Sequence, residues 1–347
     1  LFASRSASEG PLIADKVLLI SDDYHLSDGI TAAAHRIRPV EVTRLTVKCR
    51  WSPTALSLLC RAGVPPSWVL RVGYDLAPSG VPDADLIVSA GAETLAANAA
   101  VARLLGVPNI FYGSLRWYPA ERFTLVLTSY TGKAARPRHV MVMKPSSPMP
   151  ATMPNAGEQT LVHPPAVAGL LIGGPTRGFE YGAKDWEALR SFLDEAYRRH
   201  GTRWAVSNSR RTPGCVSEAL RAKARVADGA IVDFIDVREV GNGTLARVFN
   251  QAQVILCTDD SSTMISESIA ARRPVVGLRP AKCAFRPEEA GYRQYLSSHG
   301  WYKSVEIAEL TPAYLLQMIA TIRPPSDDPL NHLATVLRER LPELFAM

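Results

Sequence analysis

Residues 254–278, VILCTDDSSTMISESIAARRPVVGL, constrain the fold more than any other stretch of the chain. A short β-prone apolar run ends in a cluster of Thr, Asp and Ser, residue types that cap helices by accepting hydrogen bonds from free backbone N–H groups; a helical stretch and a second apolar strand follow. This is a βαβ unit of a parallel sheet. Unpaired N–H groups and the positive end of the helix dipole favour an anion at the turn, so a diphosphate suits Ser261, Ser262 and Thr263, with Met264 in the same turn. Glu267 follows about one turn further on, where a carboxylate can accept hydrogen bonds from ribose hydroxyls as the acidic residue of a dinucleotide fold does. The same pattern also occurs without a ligand, the turn then being only a cap and Glu267 a solvated helix position.

The rest of the chain carries the same rhythm. Strands are expected at 16–20, 86–89, 107–111, 123–128 and 140–143, with a polar turn at 21–28 and helical stretches at 29–37, within 51–70, and at 92–105. Prolines at 145, 148, 150, 154, 164 and 165 mark a loop and linker. The second half restarts with a strand at 167–172, a helix at 186–197, a strand at 204–207 and a helix start at Thr212-Pro213, an N-cap followed by proline at the first helical position. A strand at 231–234 and a helix at 245–251 lead into the opening unit, after which 288–297, 312–322 and 331–344 read as helices. The expected organisation is α/β, with two Rossmann-like domains at 1–150 and 166–323, a Pro-rich linker at 151–165 and a terminal helical segment at 324–347.

With 347 residues, 47% of them hydrophobic, the chain can bury two cores without staples. Its five cysteines, at 49, 60, 215, 257 and 283, form no C-x-x-C pair and no zinc-like spacing, which points to free thiols in an intracellular chain. No apolar run approaches the roughly 18–20 residues that cross a bilayer, and 1–8 is no signal peptide, so a cytoplasmic protein, soluble or peripheral on the membrane's cytoplasmic face, is expected. The net charge of +6 is dispersed, without a Lys/Arg block interleaved with aromatics. Nucleic acid is therefore not an expected partner; a nucleotide sugar and an anionic inner leaflet account for the sign, as does solubility alone. Asp22-Asp23 and Asp259-Asp260 are adjacent carboxylates at strand ends, pointing different ways and leaving too few converging oxygens for Mg²⁺, so no metal site is expected. The absence of a G-x-S-x-G elbow and of a P-loop lysine motif argues against hydrolase and NTPase readings.

The 258–268 segment resembles the ribose-diphosphate element of GT-B glycosyltransferases, and its Thr-Asp-Asp-Ser-Ser-Thr-Met-Ile-Ser-Glu-Ser form is most similar to the family of the plant "elongated mitochondria" fission factor, whose bacterial members are classed with glycosyltransferases. Leu171-Ile172-Gly173-Gly174-Pro175-Thr176 resembles that family's Gly-Gly-Pro turn, and Ser207-Asn208-Ser209-Arg210-Arg211-Thr212-Pro213 its Ser-Arg-Arg-Thr-Pro segment. In the first half, 82–91, Leu115-Arg116 and 123–126 are similar to its remaining strands. The resemblance implies a GT-B-like fold of two Rossmann-like domains facing a cleft, with C-terminal helices returning to the first domain. It also implies a UDP-sugar donor as substrate, no separate cofactor, and an envelope glycan or lipid-linked saccharide as acceptor.

Glycosyl transfer needs stabilisation of the leaving diphosphate and a base for the acceptor hydroxyl. In GT-B enzymes a helix N-terminus and basic side chains replace the metal, roles that fall here to Ser261, Ser262, Thr263 and Arg210 or Arg211. Ser209 lies beside those arginines. Gly173 and Gly174 lack the Cβ that would obstruct a ligand, and Thr176 and Arg177 follow them. The base is expected in the first domain, from His25, whose ordinary pKa suits proton acceptance at neutral pH, or from Asp28 or Glu93. The loop around His25 departs from the family's Gly-rich, Gln-containing turn, and Ala90-Gly91-Ala92-Glu93-Thr94 lacks the arginine usual there. A non-hydrolysing nucleotide-sugar epimerase and a non-enzymatic adaptor on the same fold stand as alternatives.

Overall fold

The structure, a computed structural model, describes residues 14–22, 26–146, 164–241 and 245–345. His25, residues 151–163 of the linker expected at 151–165, and the prolines at 148, 150 and 154 lie outside the described residues. The chain divides into two units, Leu1–Pro148 with Pro329–Met347, and Met149–Asp328.

In the first unit the strands are β1 (Lys16–Ser21), β2 (Glu41–Thr46), β3 (Leu86–Ala90), β4 (Asn109–Tyr112), β5 (Leu125–Thr128) and β6 (His139–Met141). The helices are α1 (Leu26–Ile37), α2 (Pro53–Arg61), α3 (Pro66–Tyr74), α4 (Leu95–Leu105) and the single turn α5 (Thr131–Ala134). All strands pair in parallel in the order β2-β1-β3-β4-β5-β6. β3 and β4 are buried along their whole length, as continuous apolar runs covered on both faces must be.

The second unit holds β7 (Val167–Leu171), β8 (Phe179–Glu180), β9 (Arg203–Ser207), β10 (Ile231–Ile235), β11 (Val254–Thr258), β12 (Val275–Arg279), β13 (Lys282–Cys283) and β14 (Tyr302–Glu306). Between them run α6 (Ala183–His200), α7 (Gly214–Ala224), the turn α8 (Val237–Val240), α9 (Leu245–Gln251), α10 (Ser262–Ala270), α11 (Pro287–Ser298) and α12 (Pro312–Thr321). Its parallel sheet runs β10-β9-β7-β11-β12-β14, and β8 and β13 form a small antiparallel pair beside it. Counted along the chain, the large sheet is ordered 3-2-1-4-5-6, the doubly wound dinucleotide arrangement, with its reversal between β7 and β11. In the first unit the reversal falls between β1 and β3.

A last helix, α13 (Pro329–Arg340), joins the first unit: Leu330, Leu333 and Leu337 are buried in one cluster with Ile30, Ala33 and Ala34 of α1. Among the described residues this is the one helix that returns, since α12 remains in the second unit.

Besides the short β8–β13 pair, two strands of the six-stranded sheets were not expected. β2 is an edge strand exposed along most of its length, and β14 reads YKSVE with three of its five side chains half exposed, so neither carries a strong apolar signal. α1 starts at Leu26, before the expected 29, which places Asp28 inside its first turn rather than in a loop. α7 begins at Gly214 with Pro213 at the N-cap, so Thr212 does not cap it.

Candidate functional site

The three segments singled out in the second half lie at the carboxyl ends of adjacent strands. Gly173-Gly174 follows β7, Ser209-Arg210-Arg211 follows β9, and Asp260 to Thr263 follows β11, which puts them around the sheet's reversal point. Open α/β sheets bind ligands outside the carboxyl ends of their strands at such a point.

Asp260 organises this convergence. Its carboxylate accepts hydrogen bonds from the Gly174 N–H at 3.2 Å, the Tyr181 hydroxyl at 3.0 Å and Arg211 Nη2 at 2.6 Å. Burial pushes its pKa up, against the pull of Arg211 and the hydrogen bonds. The two glycines are needed for protein packing. A Cβ on Gly173 would stand 2.2 Å from Asp260 Oδ2, and one on Gly174 would stand 2.2 Å from the Arg211 carbonyl oxygen. Their N–H groups are engaged by Thr258 Oγ1, at 2.7 Å, and by Asp260. Space at these glycines is thus filled by the chain itself, where the sequence reading had given it to a ligand. Thr212 completes the tie: its hydroxyl donates toward the Ile172 and Gly173 carbonyls and accepts from the Ser209 N–H at 2.9 Å. Ser209 Oγ in turn accepts from the Arg211 N–H at 3.2 Å.

Asp259 turns the opposite way. Its side chain is fully buried and accepts from the Tyr302 and Ser304 hydroxyls and from Arg293 Nε at 3.3 Å, while Arg293 Nη2 donates to its backbone carbonyl at 2.6 Å. Gly277 leaves the room for this, since a Cβ there would meet Tyr302 Oη at 2.5 Å. Burial works against the Arg293 charge, yet Tyr302, Asp259 and Glu289 hold its pKa above the usual value. Two neighbouring carboxylates therefore serve two separate networks. Among the described residues no group of three or more His, Cys, Asp and Glu side chains converges as a metal-ligand set.

At the start of α10, Ser261 is the N-cap and its Oγ accepts from the Met264 N–H at 3.3 Å. Ser261→Ala is expected to cost about 1 kcal/mol of stability through that lost cap, read from urea denaturation. Ile265, Ser266 and Ile269 turn into the core, Ser266 bonding to the Tyr292 hydroxyl at 2.7 Å. Thr263, Met264 and Glu267, three and four residues apart, share the opposite, partly exposed face. The Glu267 carboxyl has no hydrogen bond or ion pair among the described residues. Desolvation acts on it unopposed and raises its pKa to about 7.

Next to the helix start is a pocket of about 160 Å³ lined by residues that include Thr176, Arg177, Ser262, Phe285, Arg286 and Glu289. Thr176 is fixed by backbone hydrogen bonds in both directions with Phe179, and Arg177 at the tip of that turn is exposed. Arg210 is exposed as well, and Arg211 is tethered to Asp260. The sequence reading weighed Asp260 only as a rejected metal ligand, and it did not single out Tyr181, Phe285, Arg286, Glu289 and Arg293. The last four stand on or just before α11, about 25 residues beyond the turn they meet, and only their Arg and Glu content signalled them.

In the first unit Asp28 is ion-paired with Arg44 of β2, and Glu93 is exposed in the turn after β3, where its carbonyl accepts from the Tyr74 hydroxyl at 2.7 Å. Those segments follow β1 and β3, which flank that sheet's reversal.

The family model for mitochondrial fission ELM1 matches residues 25–340. The chain belongs to that family. Among solved structures it is similar to Staphylococcus aureus MnaA in a co-structure with UDP, at 12% identity and a TM-score of 0.56, covering 94% of this chain and 96% of that one. It is also similar to the UDP-GlcNAc 2-epimerase of Methanocaldococcus jannaschii, at 11% identity and a TM-score of 0.53 over 93% and 98% of the two chains. Acinetobacter baumannii MurG is similar at 14% identity, a TM-score of 0.46 and 94% and 95% coverage. A comparison with curated proteins finds no match. The fold of this ELM1-family chain is GT-B-like, two parallel six-stranded α/β units. No helix among its described residues is long and apolar enough to cross a membrane.

Proposed function

We propose that the second unit binds a nucleoside diphosphate sugar, UDP-linked, and that the protein transfers the sugar to an envelope glycan or lipid-linked acceptor held by the first unit. One observation carries the reading: three loops meet at the reversal point of a 3-2-1-4-5-6 sheet, beside a helix start whose outward face presents a carboxylate with no hydrogen bond or ion pair among the described residues. The solved structures with this fold include one bound to UDP, which supports the choice of nucleotide.

In this reading the α10 N-terminus with Ser261, Ser262 and Thr263 meets the diphosphate, and Glu267 accepts from the ribose hydroxyls. Met264 packs beside them. Arg210 and Arg177 neutralise the leaving phosphate through charge-assisted hydrogen bonds. Arg211, already bound to Asp260, positions the loop that carries Ser209 and Arg210; Gly173, Gly174 and Thr176 give the turn its shape. No metal or further cofactor is invoked, because helix dipole and guanidinium groups supply the positive charge. His25, Asp28 and Glu93 are the candidate bases, and the ion pair of Asp28 with Arg44 favours the other two.

The test is calorimetric titration with UDP and with uridine. Binding of UDP, with Arg210→Ala weakening UDP severalfold and uridine little, is the expected result; absence of UDP binding to folded protein overturns the reading. Release of UDP from a donor on adding acceptor distinguishes transfer from epimerisation, which changes the sugar and leaves it linked, and from an adaptor, which does neither.

A further inference from the structure

Between Val42 and Tyr74 the chain has five basic residues, Arg44, Lys48, Arg50, Arg61 and Arg71, and not one Asp or Glu. Within this segment α2 and α3 bury Leu56, Cys60, Val69, Leu70 and Tyr74 in the first unit's core, so the unusual feature lies on their other side. Trp51 is 44% exposed, Leu58 53% and Trp68 37%. The Trp51 and Trp68 rings meet edge to face at 6.2 Å. A third indole, Trp117, is 61% exposed, and its neighbour Arg116 donates from Nη1 to Thr54 Oγ1 of α2 at 3.3 Å. Helical spacing puts Thr54, Leu58 and Arg61 on one face of α2, and Trp68 and Arg71 on one face of α3.

Indoles are amphipathic and large, and leaving three of them in water on one side of a domain forgoes their burial. Cations border them. Arg50 lies 3.5 Å from Asp75 and Arg44 is paired with Asp28, whereas Lys48, Arg61 and Arg71 have no ion pair among the described residues. A second copy of the chain meeting this face would bring those unpaired cations together. We propose that this face docks the first unit on an anionic bilayer, with Trp51, Trp68, Leu58 and Trp117 at headgroup depth and Lys48, Arg50, Arg61 and Arg71 facing anionic headgroups. The inference concerns a surface apart from the nucleotide site and stands or falls separately from it.

The test is cosedimentation of the full chain with vesicles of phosphatidylcholine, alone or containing one quarter phosphatidylglycerol, with intrinsic tryptophan emission recorded. Pelleting with the anionic vesicles only and a blue-shifted emission are expected. The Arg61→Gln, Arg71→Gln double variant should lose about tenfold or more in partitioning. The Trp51→Ser, Trp68→Ser double variant should lose most of the blue shift while keeping its circular dichroism; if it does not fold, the arginine variant decides alone. No pelleting with anionic vesicles, or pelleting unchanged in the folded variants, overturns the proposal. So does a parent dimer that the Trp variant dissociates, which would assign the face to a second copy, or binding of RNA or DNA without binding of vesicles. UDP titration of the same samples reports on the proposed nucleotide site independently.

Discussion

Asp259→Ala is expected to destabilise the second unit by about 3–5 kcal/mol, the cost of leaving a buried charge without its partner. The carboxylate is fully buried and Arg293 nearly so, and the hydroxyls of Tyr302 and Ser304 both aim at the oxygens that alanine removes. Alanine would leave the guanidinium with Glu289, 2.8 Å away, and the backbone carbonyl of residue 259, remove the buried carboxylate at its Nε, and leave two hydroxyls facing a void. Because Gly277 is shaped around the same carboxylate, β11, β12 and β14 would loosen together. Urea denaturation followed by circular dichroism measures the loss. A change below about 1 kcal/mol would mean that water replaces the network and that it is not a determinant of the fold.

Glu267→Gln should act in opposite directions on stability and on binding. The carboxyl has a folded-state pKa of about 7 against an ordinary 4.5. Below the ordinary value it is protonated in both states and costs nothing. As pH rises toward 7 the unfolded chain ionises and the folded one resists, so the parent loses stability that the glutamine variant keeps. The gap should open between those pH values and level off above 7, at about 1–3 kcal/mol once partial exposure is allowed for. Ribose hydroxyls donate to the ionised form, so under the proposed function UDP affinity of the parent should fall as pH drops through 7. The glutamine variant should bind about 1–3 kcal/mol more weakly above pH 7 and show a flat profile. Parallel pH profiles for the two proteins would remove Glu267 from the ribose.

The sequence by itself determined the α/β class, the two-unit organisation and the identity of the turn-helix element, because these rest on local signals: apolar runs of strand length, a Ser cap before a helix, and prolines between segments. It also singled out Glu267, whose neighbours Ile265 and Ile269 define the buried face and leave it on the other. Tertiary structure alone decided what the polar residues do. Asp259 and Asp260 are adjacent and chemically identical, yet one closes a buried network with Tyr302, Ser304 and Arg293 and the other knits the loops after β7 and β9, because successive residues at a strand end face opposite sides. Thr212 carries the signature of a helix cap and instead binds two carbonyls of the β7 turn. Gly173, Gly174 and Gly277 look alike in sequence, and only the atoms pressed against their missing Cβ positions show that protein packing requires each one. Partners 27 to 86 residues distant leave no periodic trace in a sequence, and those contacts assigned each side chain its role.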